Sequence, residues 1–137
     1  LMQTRAFQQA MAESDKEQAT IEFLKMWGDG APWDVIPPHI RQSMIEKIDV
    51  VDAGTPSLHQ DRHGLLGSSG IQTYTGPAML VRGGKSISIM QHVHAALCDM
   101  MPQAEDHEIA DAGHMVPLTH TAECGALMRD FYRRSGF

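Results

Sequence analysis

Pro77-Ala78-Met79-Leu80-Val81-Arg82-Gly83-Gly84 is a short apolar run closed by a proline on one side and by two glycines on the other. A half-buried strand would alternate apolar with polar residues. A short continuous apolar run between breakers is instead the pattern of a strand covered on both faces. We place a strand over about 78–82. Downstream, Ile87, Met90, Val93, Ala96, Leu97 and Met100 recur at helical spacing, and Pro102 cannot continue a helix, so a helix is predicted over 87–101. His107-Glu108-Ile109-Ala110 predicts a second strand of weaker composition, over about 106–110. From Thr121 to about Arg134, Ala122, Leu127, Met128 and Phe131 predict a closing helix. Strand, helix-length crossover and strand form a βαβ unit, which makes the strands parallel. The fold class is therefore α/β. Two parallel strands do not stand alone, so the pair is expected to be a portion of a larger sheet or to borrow neighbours.

Upstream of Pro77 the pattern is helical to about residue 48. Ala6, Ala10 and Met11 form a loose apolar stripe. Ser14-Asp15 can cap a second helix, which Ile21, Phe23, Leu24 and Trp27 carry and Gly28-Asp29-Gly30 stops. Trp33-Asp34-Val35-Ile36-Pro37-Pro38 is a turn, and Pro38 suits the first turn of a helix from His39 to about Lys47. From Asp49 to Gly76 the glycines and Pro56 erase any period, so this stretch is expected to be irregular, with at most one short helix.

The 137 residues suggest one domain, and 42% hydrophobic residues are enough for a core. The net charge is −6, with the acidic residues scattered. Nucleic acid is not an expected partner, because phosphate binding needs a basic patch and the one basic cluster, Arg133-Arg134, belongs to a helix end. No apolar run approaches the roughly 18 residues of a membrane span. Leu1-Met2-Gln3-Thr4-Arg5 lacks the layout of a signal peptide, so the expected compartment is the cytoplasm. A chain opening on leucine is expected to begin inside a longer reading frame. Cys98 and Cys124 match no zinc spacing and are expected to be reduced and buried.

The stretch with chemical potential is Ala112-Gly113-His114-Met115-Val116-Pro117-Leu118, directly after a strand and before the last helix. In parallel α/β sheets functional groups gather at the carboxyl ends of the strands. A glycine ahead of the histidine lets the chain turn and leaves room for neighbouring backbone. A histidine at that place can serve as a general base near working pH. The alternative is a histidine that merely fills or caps a loop. The strand before it and the helix after it favour the functional role.

Pro77–Gly83, the helix ending at Met101-Pro102, the Ala112–Leu118 loop and the closing helix together resemble the C-terminal end of the α/β-hydrolase family. Its seventh strand reads roughly P-x-L-L-V-x-G, and its eighth leads into a-G-H-x-x-P. The earlier Phe23-Leu24-Lys25-Met26-Trp27, Gly-rich turn, Trp33 and Pro37-Pro38 resemble the cap of one bacterial branch. The resemblance implies a helical cap or lid over 1–60, an irregular connection over 61–76, and the C-terminal part of the hydrolase core over 77–137. It implies hydrolysis of an ester, amide or related bond in a small-molecule substrate, with His114 as the catalytic general base. It implies no cofactor and no metal.

This chain departs from the family twice. The nucleophile elbow G-x-S-x-G is absent; Gly67-Ser68-Ser69-Gly70 is one residue short and has no strand before it. The nucleophile is therefore expected outside the chain. The acid that many members carry after the seventh strand is also missing from Gly83-Gly84-Lys85-Ser86-Ile87-Ser88. It lies upstream, or Asp111 substitutes, or the triad is degenerate. A different functional class follows from the same departures: a catalytically inactive small-molecule-binding or interaction module. His92 and His94 point to different helix faces, and His39, His59, His63, His107 and His120 make no ligand spacing, so no metal site is expected. The ten methionines read as core filling. Trp27 and Trp33 read as cap anchors. Unpaired strand edges leave self-association open.

Overall fold

A computed structural model describes residues 4–136, apart from the side chains of Leu58 and His59; Leu1–Gln3, part of the stretch inspected for a leader, lie outside it. The chain forms two compact units that meet in sequence at His63 and Gly64.

The first unit is helical. Helix α1 (Arg5–Ala12) is capped by Thr4, whose hydroxyl accepts from the Phe7 amide at 3.1 Å. Helix α2 (Lys16–Trp27) is capped by Asp15, which accepts from the Gln18 amide at 3.0 Å, and ends at Gly28. A 3₁₀ turn at Trp33–Val35 leads into α3 (Pro38–Gln60), with Pro38 in its first turn. Phe7, Ala10, Ala19 and Ile48 form the core, with Met11, Phe23 and Val51 packed against it. The expected stripe of the first helix omitted Phe7, its most buried side chain. Trp33 is tied within this unit: its Nε1 donates to Glu17 at 3.2 Å, and the Arg41 guanidinium lies 5.6 Å over its ring.

Helix α3 corrects the expectation of irregular chain after Asp49. It runs on to Gln60, through Gly54 and Pro56. Ile48 and Val51 still belong to the core. Beyond them Asp52, Thr55 and Pro56 share a groove with Gln8, Met11 and Ala12 of α1. Proline inside a helix forfeits one backbone hydrogen bond but does not forbid the helix when packing holds it.

The second unit holds a two-stranded parallel sheet, β1 (Met79–Gly83) and β2 (Glu105–Ile109), in the register Met79↔Glu105 to Gly83↔Ile109. Helix α4 (Ile89–Met100) connects them. After β2 come a single turn, α5 (Val116–Thr119), and the closing α6 (Thr121–Ser135). Strand, helix and strand fall within two residues of the expected bounds, and the molecule is α/β with a small parallel sheet.

The weak composition of β2 has a physical reason. Asp106 and Glu108 face one side of the sheet, and their partners come from α4 and β1: Asp106 lies 3.1 Å from His94, and Glu108 pairs with Arg82 directly across the ladder at 2.5 Å. The opposite face, with Ile109 and Val81, packs on Val116, Cys124 and Leu127. Helices α4 and α6 therefore cover opposite faces, since neighbouring strand residues alternate sides. On the α6 side Arg134 pairs with Glu105. That contact, followed by His107, holds the Glu105 carboxyl below its ordinary range, so its contribution is present above the ordinary carboxylate pKa and is lost as pH falls through the lowered one. The same polar face corrects the expected apolar stripe of α4. Val93 and Ala96 are exposed, and the buried residue is His94, 7% exposed, because it answers a carboxylate.

Glycine substitutions should separate a close approach from mere helix cost. A Cβ on Gly83 would run into the carbonyl oxygens of Ala112 and Gly113, whereas one on Gly54, inside α3, meets nothing within 4 Å. Gly83→Ala is expected to cost about 1–3 kcal/mol, the usual cost of overpacking. Gly54→Ala is expected to gain about 0.5–1 kcal/mol. Urea denaturation checks both signs; equal effects would remove the special role of Gly83.

Candidate functional site

The loops that follow β1 and β2 are stitched together by backbone. Gly84 N donates to Ile109 O at 2.9 Å, and Lys85 N donates to Ala112 O at 2.9 Å. Ala112 N turns back to Ile109 O at 3.1 Å, and Ala112 is fully buried. Gly83 and Gly84 both abut this turn so closely that neither has room for a side chain: a Cβ on Gly84 would sit 2.6 Å from Ala110 O. The glycine whose lack of a side chain the geometry uses most tightly is Gly83, against the carbonyl oxygens of Ala112 and Gly113.

This junction delivers His114, half-buried, to the carboxyl end of β2 and Ser86 to the carboxyl end of β1. Ser86 Oγ lies 3.4 Å from His114 Nδ1. Both side chains line a cavity of about 100 Å³, together with Val81, Arg82, Met90 and His94. The histidine ring thus meets a hydroxyl on its Nδ1 side. A hydroxyl there can orient an imidazole, but unlike a carboxylate it cannot stabilise an imidazolium by charge.

Asp111, the acid considered from sequence, lies 3.6 Å from Nε2 of His120. His120 occupies the N-cap position of α6, although its side chain makes no capping bond, and Thr119 Oγ1 sits 3.0 Å from its Nδ1. Gly67-Ser68-Ser69-Gly70 is a succession of turns, with Gly67 N to Gly64 O at 3.1 Å and Gly70 N to Gly67 O at 2.9 Å. Among the described residues no strand precedes it, and the element directly after it is a 3₁₀ turn, Ile71–Thr73. A nucleophile elbow needs a strand before it and a helix after it.

Four residues to which sequence reasoning gave no functional role belong to the site's surroundings: Ser86, Arg82, His94 and Asp106. Asp106 lies two residues before Glu108, on the same face of the strand, and meets His94 on the helix that covers that face, a signal that becomes usable only once the register is known. Both cysteines are free thiols; Cys124 is buried, but Cys98 is only half-buried, which corrects the expectation for it. Desolvation first, then the carboxylates of Asp106 and Asp99, push the Cys98 thiol up and keep it protonated. Among the described residues no group of three His, Cys, Asp or Glu side chains is placed to hold a metal, and no helix is long and apolar enough to cross a membrane. No family model, curated protein or solved structure matches this chain.

Asp111→Asn is expected to move the ring resonances of His120 and leave those of His114 in place, measured by two-dimensional NMR of the histidine rings. A shift of His114 with His120 unmoved would put Asp111 back beside the candidate base.

Proposed function

We propose that the chain is the C-terminal part of an α/β-hydrolase-fold protein in which His114 is the general base. The reading is supported by one observation above others: the glycine-tight junction brings a histidine from the loop after β2 against the loop after β1. The opposite placement of α4 and α6 about a parallel sheet suits the same fold. In the proposed reaction His114 takes the proton of a serine hydroxyl as that oxygen attacks the carbonyl carbon of an ester, amide or related bond. It then gives the proton to the leaving group as the bond to carbon breaks, and water repeats the cycle on the acyl intermediate. The serine comes from outside this chain, and no cofactor or metal enters the steps. Ser86, on the Nδ1 side, stands where such a base usually has its acid.

A second reading has its own support. Ser86 Oγ, 3.4 Å from His114 Nδ1, is a neutral hydroxyl, and this supports an inactive small-molecule-binding or interaction module of the same fold. Turnover in the full reading frame separates the two. There His114→Ala is expected to lower turnover by several orders of magnitude with little change in melting temperature, because a base acts in the transition state. His120→Ala should leave turnover within a few-fold. Equal losses, or a large melting shift with turnover intact, would make His114 structural. The 137-residue chain alone is expected to leave p-nitrophenyl esters at background; hydrolysis abolished by substituting Ser68 or Ser69 would overturn the assignment.

The two-stranded sheet leaves an edge without a strand on both β1 and β2 among the described residues. Leu65, Leu66 and Leu118 are exposed. Such edges and apolar groups invite pairing between copies. Light scattering of the isolated chain is expected to show association that grows with concentration, and a monodisperse monomer would argue for a self-sufficient domain.

A further inference from the structure

His94, 7% exposed, is the one buried histidine among the described residues. A polar ring is kept from water only where its nitrogens are met. Nδ1 is met, by Asp106 Oδ1 at 3.1 Å. Glu108, the other carboxylate on that face of β2, is taken by Arg82, which leaves Asp106 to the histidine. Among the described residues Nε2 bonds to no protein group, yet it is not sealed, because the buried side-chain atom without a partner is Nη1 of Arg82. The ring turns Nε2 away from Nδ1, and His94 lines the cavity of about 100 Å³ that Ser86 and His114 also line.

A carboxylate only accepts. Asp106 therefore takes the Nδ1 proton of a neutral His94 and leaves Nε2 as a bare acceptor. Ser86 lies 3.4 Å from His114 Nδ1 and makes no direct bond to His94. One water needs roughly 10–15 Å³ and two or more polar partners, and the cavity supplies the room along with Ser86 Oγ and His94 Nε2. We infer that Asp106 is the remote acid of His114, acting through His94, a bridging water and Ser86. The relay has one direction. His114 Nδ1–H donates to Ser86, Ser86 to the water, the water to His94 Nε2, and His94 Nδ1–H to Asp106. The reverse order needs a donor where Asp106 stands. The relay thus selects the His114 tautomer whose Nε2 carries the lone pair, the form a general base requires. Asp106 and His94 are positioning residues, since they act through Ser86. Their use in turnover rests on the reading of His114 as base; the tautomer does not.

Long-range proton–nitrogen NMR of the whole chain, at a pH where the rings are neutral, reads each tautomer. His114 is expected to carry its proton on Nδ1. Asp106→Asn, at a half-exposed position, is expected to invert His94, as an amide in place of a carboxylate commonly does, and to move His114 to the Nε2–H form with it. His94→Phe keeps Ser86 but removes the acceptor, so it should move His114 the same way; it decides the matter if the amide leaves His94 as it was. Circular dichroism checks that each variant folds. In the full reading frame both are expected to lower kcat roughly 10–100-fold with KM little changed. His114 in the Nε2–H form in the native chain, or unmoved when His94 is inverted or removed, would overturn the relay. A tautomer that responds as expected while His114→Ala keeps its turnover would instead sink the base and leave the relay standing.

Discussion

At the end of β1 two backbone segments pass so close that no side chain fits between them. The carbonyl oxygens of Ala112 and Gly113 occupy the space where a Cβ of Gly83 would be, and Gly84 is almost as confined by Ala110. The approach is held from both sides, by the Lys85 amide on Ala112 and by the Gly84 amide on Ile109. Buried backbone groups have to be paired, and here the pairing is made between two loops and not within a ladder. The carboxyl end of the sheet is thereby a single rigid junction. Whatever His114 and Ser86 do, they do it from positions that this junction sets.

The rest of the second unit is arranged around an unusually polar strand. β2 offers Glu105, Asp106, His107 and Glu108 in succession, with only Ile109 buried. A strand of that composition does not earn its place by apolar burial. It is held by five register pairs with β1 and by polar partners placed on each face: Arg82 and His94 on one, Arg134 on the other. The exposed pair of Arg134 with Glu105 contributes only about 0–1 kcal/mol, and the half-buried pairs of Arg82 and His94 offset their own desolvation, so their value is mainly in fixing register and helix facing. A one-residue slip would turn Asp106 and Glu108 away from their partners, which makes the alternative register costly.

The βαβ unit was legible because its signals agree. A short apolar run, a helix-length interval and a stop at Pro102 all point to parallel strands. The length of α3 was not legible, because Gly54 and Pro56 are local breakers, while the packing of Ile48 and Val51 that carries the helix forward is tertiary. His114 was marked by its place after a strand. Ser86 was not: it lies 28 residues upstream, in a stretch noted only for lacking a carboxylate, and the contact exists because the junction folds two loops together. The facing of α4 was misjudged for a related reason. Periodicity identifies an apolar stripe, but it does not reveal that the surface to be covered is charged.

The same two features place chemistry on a polar sheet edge. Arg82 serves two purposes at once: Nη2 completes the cross-strand pair with Glu108, and Nη1 remains buried without a partner beside the cavity that His114 also lines. If the arginine were needed only for the pair, a lysine or an exposed arginine would suffice, since one donor reaches Glu108. A planar fork with one arm committed is stiffer than either, because the committed arm removes most of the rotamer freedom of the free one. Arg82 itself lines the cavity that Ser86 and His114 share. Packing that positions the histidine and pairing that positions the guanidinium thus converge on one small volume at the carboxyl end of β1, the end at which parallel sheets characteristically carry their ligands.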